Sequence, residues 1–176
     1  MYFWWMIIGF QLVWFACAWG ISHHYPLLPL LLSMVYLNTF MSKQSDKKIA
    51  YLFLGKFLLF GLIADSLISG LGLMTFMSAY PPPFAWVQPW WLSLLWLCFA
   101  ASAKASFSWL EQRRSLAVVL GMIAGPIAYL SGQKFGVFID IHPLGFVLLS
   151  IFWGAIMWLL VKQLPSLTNH LQYKHQ

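Results

Sequence analysis

The run 50–74, AYLFLGKFLLFGLIADSLISGLGLM, decides what kind of protein this is. It is apolar throughout except for Lys56, Asp65, Ser66 and Ser69. A helix that crosses the hydrocarbon core of a bilayer needs about 20 mostly apolar residues. This run meets that requirement with length left over for tilt. Working outward from it, five more stretches fit: 2–20, 26–41, 89–107, 116–137 and 144–164. The stretch 26–41 is short and borrows interfacial residues. Breakers separate them: Ser22-His23-His24-Tyr25-Pro26, the segment 42–48, Pro81-Pro82-Pro83, and the segments 111–115 and 140–143. The expected fold is therefore all-α: a polytopic membrane bundle of six transmembrane helices, one domain over 1–176, with no soluble domain at either end.

Composition agrees. Of 176 residues, 61% are hydrophobic and 8% charged, and the mean hydropathy is +0.77. An average soluble domain carries roughly 25% charged residues, so charge this sparse cannot coat a water-facing surface. A soluble globule, a disordered chain and a disulfide scaffold are excluded. Eleven Trp and fifteen Phe suit a protein bordered by lipid interfaces. The net charge of +6 would fit a nucleic-acid partner only if the basic residues shared one face; they fall between apolar stretches, so none is expected. Cys17 and Cys98 match no metal or redox spacing and read as small buried hydrophobes.

Lys and Arg in short loops set orientation. Lys43, Lys47 and Lys48 lie between the second and third spans, Arg113 and Arg114 between the fourth and fifth, and Lys162 and Lys174 at the end of the sixth. The opposite loops have no Lys or Arg, apart from Lys134 near the outer end of span five. An even helix count puts every basic cluster on one side, with both termini cytoplasmic; an odd count scatters them. Ala16-Cys17-Ala18 resembles a signal-peptidase site, but no basic region precedes it. A lipidated Cys17 would want Leu where Trp14 stands, so the first span is expected to stay as an anchor.

Asp65 is the informative polar residue. It falls beyond the middle of span three, where a carboxylate costs at least about 2.5–3.5 kcal/mol. At about 100° per residue, Gly61, Ser69 and Gly72 share its face, a small polar stripe that belongs against other helices. Two readings stand open: a proton, cation or substrate-headgroup site, or an acid that fixes helix packing. Lys56 faces away and snorkels, as Lys104 does near the inner end of span four. Lys134 matches Asp65 in depth to within about one turn, roughly 5.4 Å, so an Asp65–Lys134 contact is expected; the alternative is a lysine that reaches the outer headgroups. Trp96 lies deep enough for its indole N–H to need a partner, and Asp65 is one acceptor at that depth.

Span five carries Gly121, Gly125, Gly132 and Gly136, which with Ala128 fall within an arc of about 80°. That gives a flat face for close helix packing. Pro126 leaves one carbonyl without its helical donor, which Tyr129 or a neighbouring hydroxyl could satisfy; a hinge or substrate-lined break is the other reading. Trp90, Trp91 and Trp109 read as interfacial belts, and Gln11 and Asn38 as interhelical hydrogen-bond partners. His23, His24, Asp140 and His142 share the outer side, but these short connectors supply no convergent set, so no metal is expected. No catalytic triad order, H-E-x-x-H or phosphate loop is present, and no cofactor is called for.

The set Trp90-Trp91-Leu92…Leu95-Trp96…Phe99-Ala100…Ser106…Trp109, followed by Gly121…Gly125-Pro126…Ala128-Tyr129…Gly132…Gly136, resembles the signature half of an uncharacterised bacterial inner-membrane family, domain-of-unknown-function family 2878 (DUF2878). The resemblance covers nearly the whole chain, and Asp65-Ser66 is also similar. It implies a Gram-negative cytoplasmic (inner) membrane protein and brings no catalytic residues. Relatives tend to be encoded beside cyclopropane-fatty-acid-synthase-like methyltransferases and flavin amine-oxidase-like proteins. That implies, by association, a role in membrane-lipid modification or envelope stress.

Two functions compete. The first is an accessory or scaffold protein that presents acyl chains or docks a cytoplasmic lipid-modifying enzyme, with membrane lipids as partners and basic inner loops suited to anionic headgroups. The second is a small-solute transporter, or its substrate-binding subunit, with Asp65, Ser69, Trp96, Pro126, Tyr129 and Lys134 in the site. Compact size and the glycine-rich fifth span give it a loose fold-level likeness to the binding components of vitamin transporters. An intramembrane enzyme is the poorest fit, since one acid without a nucleophile or metal set makes a weak active site.

Overall fold

The computed structural model describes residues 2–77 and 80–165. Six helices run in order: α1 (Tyr2–Ser22), α2 (Leu27–Ser42), α3 (Lys47–Gly70), α4 (Trp90–Phe107), α5 (Arg114–Phe135) and α6 (Pro143–Gln163). Five of them are long and apolar enough to cross a membrane; α2, with 16 residues, is shorter. At 1.5 Å per residue it measures about 24 Å, less than the hydrocarbon core. Apolar side chains also surround the helices instead of forming one stripe, the pattern of a membrane bundle. Ile8, Leu59, Ile63, Ile123, Val147 and Ile151 are all more than half exposed, which water would penalise and lipid does not. These features mark a membrane-embedded protein.

Helix boundaries follow local chemistry. α3 begins three residues before the apolar run because Asp46 caps it, its carboxylate accepting from the Ile49 N–H at 3.1 Å. It stops at Gly70, and Gly72 turns away at φ 72°, so Gly72 does not share the helical face of Asp65. α6 starts with Pro143 behind His142, whose Nδ1 accepts from the Leu144 N–H at 3.2 Å. α5 ends at Phe135, and Gly136 after it takes the left-handed conformation at φ 85° while the Val137 N–H reaches back to the Gly132 carbonyl at 3.1 Å. Gly136 therefore terminates the helix, and of the expected four-glycine face Gly121 and Gly125 pack against α6 while Gly132 faces Phe138 of the segment that follows α5.

Successive helices run antiparallel. α1 meets α2 through Gly9 against Tyr36 and Gly20 against Pro29, and the Tyr36 hydroxyl donates to the Met6 carbonyl at 2.7 Å. The most extensive helix pairing is α5 with α6. Lys43, Lys47, Lys48, Arg113 and Arg114 flank the helix ends at one end of the bundle, where Lys56 also donates to Gln163 Oε1 at 3.5 Å. Lys174 lies outside the described residues.

The other end carries an element the sequence did not reveal. Strands β1 (Met74–Phe76) and β2 (Phe138–Ile141) pair antiparallel, Met74 opposite Ile141 and Phe76 opposite Phe138, with an irregularity after Thr75. Met74, Phe76, Phe138 and Ile141 point into the core. The ribbon ties the α3–α4 connection to the α5–α6 connection and roofs the bundle. Strands of three and four residues are too short to show alternation, and two of the spans read from sequence run onto or up to them.

Candidate functional site

Two helices present the same pattern to one another: a glycine, then a polar residue four positions on. On α3 these are Gly61 and Asp65; on α5, Gly125 and Tyr129. Four residues are close to a whole turn, so each pair lies on one helical face. A Cβ at Gly61 would sit inside the Trp96 indole, and one at Gly125 inside the Trp153 indole. Trp96 and Trp153 stack on each other, centroids 5.0 Å apart and planes 20° from parallel. The order across the bundle is thus Gly61, Trp96, Trp153, Gly125: two indoles held between two bare stretches of helix. Only glycine permits so close an approach.

One turn along, the polar partners meet. Asp65 is 0% exposed. Its Oδ1 accepts from the Tyr129 hydroxyl at 2.6 Å and its Oδ2 from the Trp96 Nε1–H at 2.8 Å. The other face of Tyr129 stacks on Phe138 of β2, centroids 5.0 Å apart, and Gly132 leaves room for that ring, since a Cβ there would stand 2.7 Å from it. The neighbouring Ser66 hydroxyl accepts from the Gln88 N–H at 2.9 Å, fixing the entry to α4.

Asp65, one acceptor at the depth of Trp96, does take its indole N–H, whereas the expected Asp65–Lys134 contact is absent: Lys134 is exposed. Lys134 lies five positions beyond Tyr129, about 140° round α5, so equal depth did not bring it to the same face. Ser69 is half-buried and takes no part in the Asp65 bonds. Tyr129 does not serve the carbonyl freed by Pro126, because its hydroxyl is given to Asp65. Trp91, expected at the interface, is 1% exposed and packs edge-on against Phe138. Gln11 and Asn38 are exposed, and neither bridges two helices among the described residues. Cys17 and Cys98 are buried and free. Trp153 carries no signal in the sequence, because α6 is apolar on all sides and nothing singles out one of its rings.

Beside this cluster runs a cavity of about 510 Å³ between α1 and α5, floored by α4. Phe10, Trp14, Trp91, Phe99 and Trp153 are among its aromatic walls, and Gly121, Gly125 and Gly132 form part of its α5 side. Trp96 and Tyr129 line it, while Asp65 stands behind them. Its lining includes no Lys, Arg, His, Asp or Glu. Ile123 and Ile127, at its rim, are more than half exposed, so the cavity is a groove open to the side of the bundle.

The family model described as Protein of unknown function (DUF2878) matches residues 3–160. The chain belongs to the DUF2878 family. That match takes in Gly61, Asp65, Trp96, Gly125, Tyr129 and Trp153, and so the entire site. Comparisons with curated proteins and with solved structures find no match.

Proposed function

We propose that this DUF2878 protein is a lipid-handling component of the bacterial inner membrane that holds one hydrocarbon chain in the groove between α1 and α5. The observation that carries the reading is the groove itself: apolar, uncharged and open sideways on a bundle whose surface belongs in lipid. From Leu120 to Gly132 it follows α5 for about 18 Å, close to the roughly 15 Å that one leaflet contributes to the hydrocarbon core. The cavity volume is about 510 Å³. Volumes of about 300–1,000 Å³ are those of ligand sites.

In this reading Trp96 and Tyr129 contact the chain with their rings, and Asp65 is a positioning residue that ties up their polar atoms so that the groove wall is apolar. The topology that goes with it has six crossings, α2 included, with the basic ends and both termini in the cytoplasm. Those basic ends suit anionic headgroups or a cytoplasmic lipid-modifying enzyme. A small-solute carrier built on Asp65 would have to open one of its two hydrogen bonds first, and an Asp65→Asn variant should then change uptake of some solute in a panel.

Native mass spectrometry after mild detergent extraction tests the proposal. The wild type should retain one lipid per chain, and Ala128→Trp, which fills the groove with an indole, should lose it. Wild type recovered bare, or a variant that retains lipid equally, contradicts the proposal.

A further inference from the structure

Most polar side-chain atoms along the groove are spoken for or shut away. Tyr129 and Trp96 donate to Asp65, and the Cys17 thiol donates to the Trp91 carbonyl, Sγ to oxygen 3.8 Å. The indole N–H groups of Trp91 and Trp153 have no hydrogen-bond partner among the described residues but are buried. Gln11 differs. It lines the groove, is exposed, and its amide has no hydrogen-bond partner among the described residues. Trp14, three residues on and so on the same side of α1, also lines the groove with an unpartnered N–H among the described residues.

Gln11 stands about 14 Å from the start of α1 and about 17 Å from its end, the middle of the helix and, where α1 crosses the bilayer, of the hydrocarbon core. No headgroup reaches that depth and little water does, so an unmet amide there is costly. A polar group on the bound molecule would meet it. That group has to be neutral, because the groove lining offers a carboxylate, phosphate or ammonium no countercharge.

We infer that the groove takes an uncharged single-chain lipid whose carbonyl or hydroxyl oxygen is bound by the Gln11 amide at mid-membrane depth. The inference rests on the chain-binding reading and adds the chemistry of what is bound. Two sources supply such an oxygen, an acyl-derived alcohol and a prenylated quinone.

The test is competition on delipidated full-length protein in detergent micelles, read by native mass spectrometry. The competitors are an n-alkane, the n-alcohol and the n-carboxylate of equal length, and a prenylated benzoquinone. Wild type should prefer the alcohol or the quinone to the alkane by about 3- to 10-fold, the effect of one net hydrogen bond, and should disfavour the carboxylate. Gln11→Leu, at an exposed position whose loss leaves the core intact, should bind the alcohol and the alkane equally. A preference for the alcohol assigns the acyl source, and a preference for the quinone the isoprenoid one. If wild type binds alkane and alcohol alike, the inference fails while the groove reading survives; if no chain binds, both fail. A disulfide between two copies of a Gln11→Cys variant in the membrane would also overturn it, because the amide would then be serving a second copy of the chain.

Discussion

Asp65 holds two donors that arrive from different helices, Trp96 from α4 and Tyr129 from α5, and it joins three helices through one carboxyl group. Alanine at this position would leave both donors buried and unpaired, which costs more than the net gain of either bond. Asp65→Ala should therefore lower stability by on the order of 2 kcal/mol, read as a lower unfolding temperature in detergent. Asn keeps one accepting oxygen, and its amide can donate to the Tyr129 oxygen, so Asp65→Asn should be clearly milder than Ala. Tyr129→Phe leaves the buried Asp65 Oδ1 without its donor and should cost about 1–3 kcal/mol. Asp65 was legible because an acid in an apolar run demands a partner; depth made Trp96 one donor within reach, but periodicity could not decide between donors. Lys134 misled because depth along a helix is readable from sequence while rotation between two helices is not.

Among the elements, α3 and α5 were legible in their roles and blurred at their ends. The apolar run announces the helix, whereas the cap that starts it, Asp46, and the glycine that turns the chain out of it, Gly72, are polar or small residues outside the run's logic. The glycines of α5 advertised a helix-packing face, and Gly121 and Gly125 provide it against α6 while Gly132 makes room for Phe138; which side chains they accommodate, Trp153, Met157 and Phe138, could not be read. Gly61→Ala and Gly125→Ala each place a methyl inside an indole, so each should destabilise by about 1–3 kcal/mol or more and shift the tryptophan emission. Gly55 has nothing within 4 Å of its would-be Cβ, and Gly55→Ala should leave stability unchanged or raise it by up to about 1 kcal/mol. A Gly61→Ala protein as stable as the Gly55→Ala protein would contradict the glycine–indole packing. The β1–β2 ribbon was illegible because its partners lie more than sixty residues apart and neither strand is long enough to show a period.

For the whole molecule, composition alone excluded water as the surrounding solvent, and the apolar surface agrees. The number of crossings depends on α2, whose 16 residues fall short by length yet lie antiparallel along α1. With Cys17 and Cys98 buried, a single cysteine placed at Lys47 or Asp140 reports alone. An impermeant thiol reagent should label Asp140→Cys in intact spheroplasts and Lys47→Cys only after lysis. Labelling of both from outside would break the proposed topology. The groove is the part of the account that composition and periodicity could not supply, since it arises from how α1 and α5 diverge over α4. It is tested most directly by a photo-crosslinking amino acid placed at Ala124, on the groove wall, and separately at Leu59, on the outer surface of α3. Irradiation in native membranes should give a single dominant lipid adduct at position 124 and the bulk lipid mixture at position 59; the same bulk mixture at both positions would contradict the account.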